Sequence, residues 1–544
     1  MPSLHIATDT SLEKKLPWVV QKFGGTSLGK FSLNIVDNVI VPYSQSHKVV
    51  AVCSARSLDT KEGGTTNRLL RAAQEALDKG SSESLDSLIM AIESDHIGAM
   101  RGCVKSPQIA RSLTKDIQDE CRRVATLLTA AATMGEVTER CLDRVVSTGE
   151  RLSAKVLCAM LQDRGISAEF VDLSDAISCA DKHQALDQEF YGGLAQHLGG
   201  VVKHCPARVA VVTGYFGTVP GGLLHSIGRG YTDLCSVLLA AGIPGAQLQV
   251  WKELDGIFTA DPRCVTTARL VETLSPAEAA ELTFYGAEVI HPLAMKQAVY
   301  QKLPIAVKGV MNPHGLGTLV VPHQDLIFGD DALAIDTSRP GFGSAGTEAT
   351  VMTVSHGPAT RPIALTSKRG IIVIRVHSTE RCSSHSFFLG VFRTLEKWRL
   401  SADLMSTSSA QISMALEPKM SHSHVMGGAD GAGHDVFGHD LSHAIRELHL
   451  YGRVEVLHDM AIVCVVGRQE QQASSGLTGN ISGLASTVFA MLGRNNIPTA
   501  MMLQGASKLS VTCVMADQQV QRASCILHDC LCSPNALMGC QEWN

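Results

Sequence analysis

The chain has 544 residues, a formal net charge of −5 and 18% charged residues. That length predicts three or four domains at roughly 100 to 200 residues each, and a near-neutral balance without any block of lysines and arginines excludes a nucleic-acid backbone as the expected partner and favours small molecules. The first sixteen residues carry Asp9, Glu13, Lys14 and Lys15 with no apolar stretch, and no later run approaches the ~20 apolar residues of a membrane span, so a soluble, cytoplasmic chain with no membrane partner is expected. The 16 cysteines lie scattered through apolar stretches such as Val49 to Ser54 and Ala461 to Val466, where thiols act as small hydrophobes. Cys525, Cys530, Cys532 and Cys540 cluster near the end without a CxxC pair, so reduced thiols and no resident metal are expected.

After an N-terminal tail (1–16), short β-rich runs alternate with longer helical stretches: Trp18 to Phe23, Val49 to Ser54, Ala168 to Val171, Arg208 to Thr213, Leu248 to Trp251 and Ile305 to Lys308. The alternation predicts an α/β sandwich over 17–325 with a mostly parallel central sheet, and ligands on such a sheet sit at the loops after the strands. The first of those loops is the most informative. Lys22-Phe23-Gly24-Gly25-Thr26-Ser27 follows the first strand directly, and adjacent glycines let backbone N–H groups approach an oxyanion while Lys22 adds a full charge. Gly24 to Lys30 also spells the opening of a P-loop, but Phe31 stands where the magnesium-binding hydroxyl belongs. An ordinary glycine turn and a phosphate loop centred on Lys22 are the other readings of the same residues.

Four further segments are rich in polar groups. Ser54 to Asn67 ends in Gly63-Gly64-Thr65-Thr66-Asn67 before a helix and suits a small anionic substrate. Ser147-Thr148-Gly149-Glu150-Arg151 reads as the opening of a helix, with Glu150 a first-turn acid at the positive end of the dipole. Gly228-Arg229-Gly230-Tyr231-Thr232-Asp233 leads into an apolar helix that Thr232 or Asp233 would cap, while Arg229 between glycines is a fork-shaped cation suited to a planar carboxylate. Trp251 to Arg263, dense in polar residues and turn formers, reads as a nucleotide-binding loop.

A glycine-rich stretch from Gly329 to Gly357 predicts a linker (326–362). Beyond it lies a repeat at a fixed offset of 97 residues: Val391-Phe392 matches Val488-Phe489, Leu395 matches Leu492, Leu400 matches Ile497, Leu404-Met405 matches Met501-Met502, and Ile412-Ser413 matches Leu509-Ser510. Each copy is preceded by a strand, Ile371 to Val376 or Met460 to Val466, which predicts two βαββαβ ferredoxin-like modules, 363–457 and 458–544, each closed by a last strand of its own. The His/Gly-rich segment 421–443 inside the first module reads as a surface loop.

Taken in order, Lys22 to Ser27, Ser147 to Glu150, Gly228 to Asp233, Asp255 to Arg263 and Glu288-Val289-Ile290-His291-Pro292 resemble the successive motifs of fungal-type aspartate kinases in the amino acid kinase superfamily, and the repeats resemble the tandem ACT domains that follow the kinase there. The resemblance implies phosphorylation of the aspartate side chain by ATP with Mg²⁺. It gives phosphate contacts to Lys22, Gly24, Gly25, Thr26 and Ser27, nucleotide contacts to Lys252, Phe258 and Arg263, and substrate contacts to Ser54, Thr66, Glu150, Arg229 and Thr232, with Asp233 organising the site. It further implies a homodimer or higher oligomer through the ACT domains and an amino-acid effector, threonine or lysine, near Ser406, Thr407, Ser408 and Gln504. Ser409-Ala410 and Leu503 depart from the residues usual in the family, so weakened or altered feedback is expected, as in a copy serving a secondary-metabolite pathway of the fusaric-acid type. The competing readings are a kinase of another amino acid such as glutamate, a non-catalytic amino-acid or nucleotide sensor, and a P-loop NTPase.

Overall fold

The computed structural model describes residues 16–57, 63–77, 85–177, 186–219, 222–228, 230–287, 290–321, 362–378, 384–398, 400–417, 436–468, 481–504 and 509–532. Arg229 and most of the predicted linker fall outside them. The first body is an eight-stranded sheet of Trp18–Phe23 (β1), Lys48–Cys53 (β2), Ala168–Val171 (β3), Val209–Thr213 (β4), Gln247–Lys252 (β5), Thr273–Leu274 (β6), Ile305–Gly309 (β7) and Thr318–Val320 (β8) in the order β3-β4-β2-β1-β5-β7-β8-β6. All pairs are parallel except β7 with β8.

Period-two alternation sorts the strands onto two cores. Val20, Val50, Val52, Val212 and Val250 face one layer with the helices Gln188–Lys203 and Tyr231–Gly242; Val19, Phe23, Val49, Ala51 and Trp251 face the other with Glu139–Asp163. Strands buried on both faces read as continuous apolar runs, and Val49 to Cys53 are all 0% exposed.

The second body is a six-stranded antiparallel sheet of Ala364–Ser378 (β9), Ala402–Ser408 (β10), Gln411–Leu416 (β11), Gly452–Val466 (β12), Met501–Gln504 (β13) and Ser510–Ala516 (β14), ordered β10-β11-β9-β12-β14-β13. The repeat is visible in three dimensions: Ser384–Lys397 and Ile481–Arg494 are the matching helices, and Val391, Leu395, Val488 and Leu492 are all buried. The modules are interlocked. The second half of β9 pairs with β11 and with Gly452 to Leu457, whereas its first half, Ala364 to Lys368, pairs with Ile462 to Val466. The strand that completes the second ferredoxin-like unit beside Ile462 to Val466 therefore comes from the front of the region. The break falls where register shifts around Met460, beside Asp459 with φ 53° and Gly370 with φ 70°. The sheet curls enough for its end strands, β10 and β13, to come together.

The predicted surface loop 421–443 is corrected in part. Residues 421–435 lie outside the described residues, but Val436–Leu448 is a helix. Leu441, Ala444 and Leu448 repeat at helical spacing and are buried, and His443 stacks on Trp398 with ring centroids 4.9 Å apart.

Candidate active site

Lys22 is the penultimate residue of β1, and Gly24 is all that separates that strand from a short helix, Gly25–Lys30. A P-loop has no room here: the helix already contains the glycine pair's second member and ends on Lys30. The N–H groups of the first turn have no acceptor inside the helix. Gly25 is required on steric grounds, because a Cβ there would meet the Ala55 carbonyl oxygen at 2.1 Å. The loop after β2 is laid against this turn by the Ser54 N–H on the Phe23 carbonyl (3.2 Å) and the Ser57 N–H on the Gly25 carbonyl (3.0 Å). Ser54 and Thr66, the latter in the first turn of Thr65–Glu75, are half-buried beside it.

Two helices from opposite layers meet over the C-terminal edge of the sheet. Glu150 does not open a helix: it sits in the middle of Glu139–Asp163. Burial, not a helix dipole, sets its character. Its carboxylate is 1% exposed and accepts from the Thr232 hydroxyl at 2.7 Å, while Oε2 makes no hydrogen bond among the described residues. Desolvation pushes its pKa up to about 7, against the pull of Thr232, the polar groups of Tyr215 and Tyr231, and Lys22. Thr232 and Asp233 do not cap their helix either: Gly230 holds that position without a side-chain bond. Both side chains are turned to the site instead. Asp233 lies 2.7 Å from Lys22 Nζ, the pair being largely buried, and accepts from the His291 N–H at 3.2 Å. Burial opposes its ionisation, but Lys22 and Lys252 outweigh it and hold the carboxyl below its ordinary range.

The structure thus brings together Lys22, Glu150, Thr232 and Asp233 with the Gly24-Gly25-Thr26-Ser27 turn, and Lys252 is near enough to act on Asp233. Phe258 and Arg263 are not drawn into this centre among the described contacts. Phe258 is half-buried in a bridge with Leu270, and Arg263 is exposed and forks onto Asp261 at 2.8 Å. Arg229 lies outside the described residues, although the segment ahead of it is held firmly. Asp143 accepts from the Leu223 and Leu224 N–H groups at 2.6 and 3.1 Å. Asp143 escapes a motif-based reading, and Tyr231, though inside the Gly228 to Asp233 motif, is given no role by it. Asp143 stands seven residues before Glu150, two turns along one helix face, a relation visible only when the helix is extended back to Glu139. Glu120 braces the same helix, paired with Arg151 at 2.8 Å and Lys155 at 2.9 Å.

Residues 17–309 match the model of the amino acid kinase family, and 475–531 match an ACT domain. The chain is 39% identical to the aspartokinase of Candida albicans over 96% of this chain and 91% of that one. It is also 39% identical to the aspartokinase of Schizosaccharomyces pombe, over 98% and 96%. The chain belongs to the aspartokinase family. The aspartate kinase FUB3 of Gibberella moniliformis is 38% identical over 96% of this chain and 98% of its own. Among solved structures, E. coli aspartokinase III in complex with aspartate and ADP superposes with a TM-score of 0.65 at 24% identity, covering 95% of this chain and all of that one. The shared fold therefore extends over kinase and ACT regions alike. Among the described residues no helix is long and apolar enough to cross a membrane, and no group of three or more His, Cys, Asp or Glu side chains is placed to hold a metal.

Proposed function

We propose that this chain transfers the γ-phosphoryl group of ATP to the side-chain carboxylate of L-aspartate, giving 4-phospho-L-aspartate and ADP. The observation that carries the reading is Glu150: a buried carboxylate with one oxygen lacking a hydrogen bond among the described residues, and close enough to Lys22 to feel its charge, is a socket for an ammonium group beside a phosphate-binding cation. The aspartate carboxylate, with an ordinary pKa of ~3.9, is ionised at neutral pH and attacks phosphorus without a general base. One O–P bond forms as the bond to the bridging oxygen of ADP breaks. The protein's task is to hold two anions together and spread the charge of the transferring group. Lys22, the Gly24 and Gly25 amides, Thr26 and Ser27 do this, and Asp233, 2.7 Å from Nζ, aims Lys22. Arg229 pairs with the substrate's α-carboxylate, with Ser54, Thr66 and Thr232 as hydroxyl partners. Lys252, Phe258 and Arg263 belong to the nucleotide side. Mg²⁺ would enter with the nucleotide and neutralise its phosphates, and Asp233, paired with Lys22, is the carboxylate that would organise it there.

Ser406, Thr407 and Ser408 are exposed on β10 and Gln504 is exposed at the end of β13, strands that approach each other. An amino-acid effector bound there loses polar partners through Ser409 and Ala410, at roughly 1 kcal/mol per bond, so feedback by threonine or lysine is weakened. Identity to FUB3 (38%) matches identity to the yeast aspartokinases (38–39%), so a secondary-metabolite role rests on these effector residues alone. Assembly through the ACT helices, where Leu389, Phe392 and Phe489 are exposed, belongs to the same reading. Purified protein given Mg²⁺-ATP, L-aspartate and hydroxylamine should yield aspartyl hydroxamate, at a rate little changed by threonine. Glutamyl hydroxamate in its place would make it a kinase of another acid, and nucleotide binding without any hydroxamate would make it a sensor.

A further inference from the structure

Thr259 and Thr267 flank Asp261-Pro262-Arg263, and both present their hydroxyls to one imidazole, His528, in the helix Val520–Leu531 at the end of the second ACT module. The ring is 1% exposed. Thr259 Oγ1 accepts the Arg269 N–H at 2.9 Å and lies 2.8 Å from His528 Nε2; because Thr267 gives its own proton to the Asp529 carboxylate it can only accept from Nδ1, which leaves Nε2 to accept the Thr259 proton. A neutral ring that accepts at Nε2 carries its proton on Nδ1. Nδ1 then donates to Thr267 Oγ1 at 3.2 Å, and the Thr267 hydroxyl donates to Asp529 at 3.1 Å. Every donor in this chain has one acceptor, and burial, which lowers the His528 pKa, keeps the ring neutral against the opposing pull of Asp529.

The surrounding contacts fix the same segment. The Leu365 N–H at the start of β9 donates to the Thr259 carbonyl (2.8 Å), Cys525 Sγ lies 3.6 Å from the Cys264 carbonyl, and the Arg269 guanidinium reaches the Cys532 carbonyl. Ala260 and Val265 pack among Val463, Val488 and Leu527 of the ACT module. Both ends of the loop are thereby tied down while Arg263 at its tip stays exposed.

We infer that His528 is a positioning residue for the nucleotide: by accepting from Thr259 and donating to Thr267 it fixes the 258–269 loop in the form that receives ATP. The inference rests on the proposed assignment of Phe258 and Arg263, in the first half of that loop, to the nucleotide. The test compares His528→Phe, His528→Gln, Thr267→Val and Phe258→Ala in the full-length protein, reading KM for ATP, KM for aspartate, kcat, ADP affinity by calorimetry and Tm. Loss of a buried hydrogen bond that holds the loop should raise KM for ATP and weaken ADP about tenfold in His528→Phe, with KM for aspartate and kcat near wild type. His528→Gln, which can still accept from Thr259, should recover most of the loss. A folded His528→Phe with unchanged ATP and ADP parameters, while Phe258→Ala impairs both, overturns the role of His528 and leaves the loop assignment standing. Unchanged nucleotide parameters in Phe258→Ala overturn the assignment itself. If His528→Phe does not fold, Thr267→Val decides: a rise of about threefold in KM for ATP alone supports the inference, and no rise overturns it.

Discussion

The centre around Lys22 and the loop after β5 are both dense in polar side chains, but they are held in opposite ways. Lys22, Glu150, Thr232 and Asp233 satisfy or strain one another entirely within the kinase body. The 258–269 loop makes its buried hydrogen bonds to a helix more than 250 residues further along the chain. The difference separates chemistry from control. The groups assigned to the reacting atoms sit on a strand and two helices whose positions the sheet dictates. The segment assigned to the nucleotide is shaped in part by the module expected to sense an effector.

The largest effect that would sharpen this contrast is expected from Lys22→Ala, which removes the cation assigned to the transferring group and leaves Asp233 buried without its partner. Turnover should fall by roughly 10³-fold, read by ADP release. Glu150→Gln should cut kcat/KM for aspartate by roughly 10²-fold and yet raise Tm. Its carboxyl is raised from 4.5 to about 7, so between those values the folded protein holds a proton that the unfolded chain releases, and stability falls as pH rises through the window. A neutral amide relieves that cost, worth about 3 kcal/mol at pH 7; a lower Tm in thermal melts at that pH would break the argument. Gly25→Ala forces the Ala55 carbonyl aside and should destabilise the fold by about 2 kcal/mol in urea unfolding. Thr232→Val removes one hydrogen bond to Glu150 and should raise KM for aspartate about fivefold. Lys30→Ala, at the exposed end of its helix, should change turnover less than twofold, and a larger loss would contradict the assignment of the phosphate-binding charge to Lys22.

What was legible in the sequence follows the same division. The strands Lys48–Cys53 and Val209–Thr213 stand within a residue of where apolar runs placed them, because a strand buried on both faces announces itself by composition. The aspartokinase motifs name Lys22, Glu150, Thr232 and Asp233, which the structure brings together, without revealing how they are held. Glu150 was misplaced at a helix start because Ser147 and Thr148 look like caps; Val145, Val146 and Leu152 on either side show a buried helix running through. Thr232 likewise looked like a cap, since nothing local reports that a carboxylate from another layer lies within 2.7 Å. The interlocked ACT sheet was invisible to the repeat, which aligns residues by offset and cannot tell which strand closes which unit. His528 carried no signal at all, as its partners are fixed only by the docking of two bodies.

The most direct test is the pH dependence of kcat/KM for aspartate in the wild type and in Glu150→Gln, since this parameter reports ionisations of the free enzyme. An ammonium socket built on a carboxyl of pKa about 7 predicts a wild-type value that falls about tenfold per pH unit below that point as Glu150 becomes protonated, and a variant that is low and flat across the same range. A variant that keeps the wild-type profile would show that Glu150 does not bind the substrate, and the assignment of this centre to aspartate would fail with it.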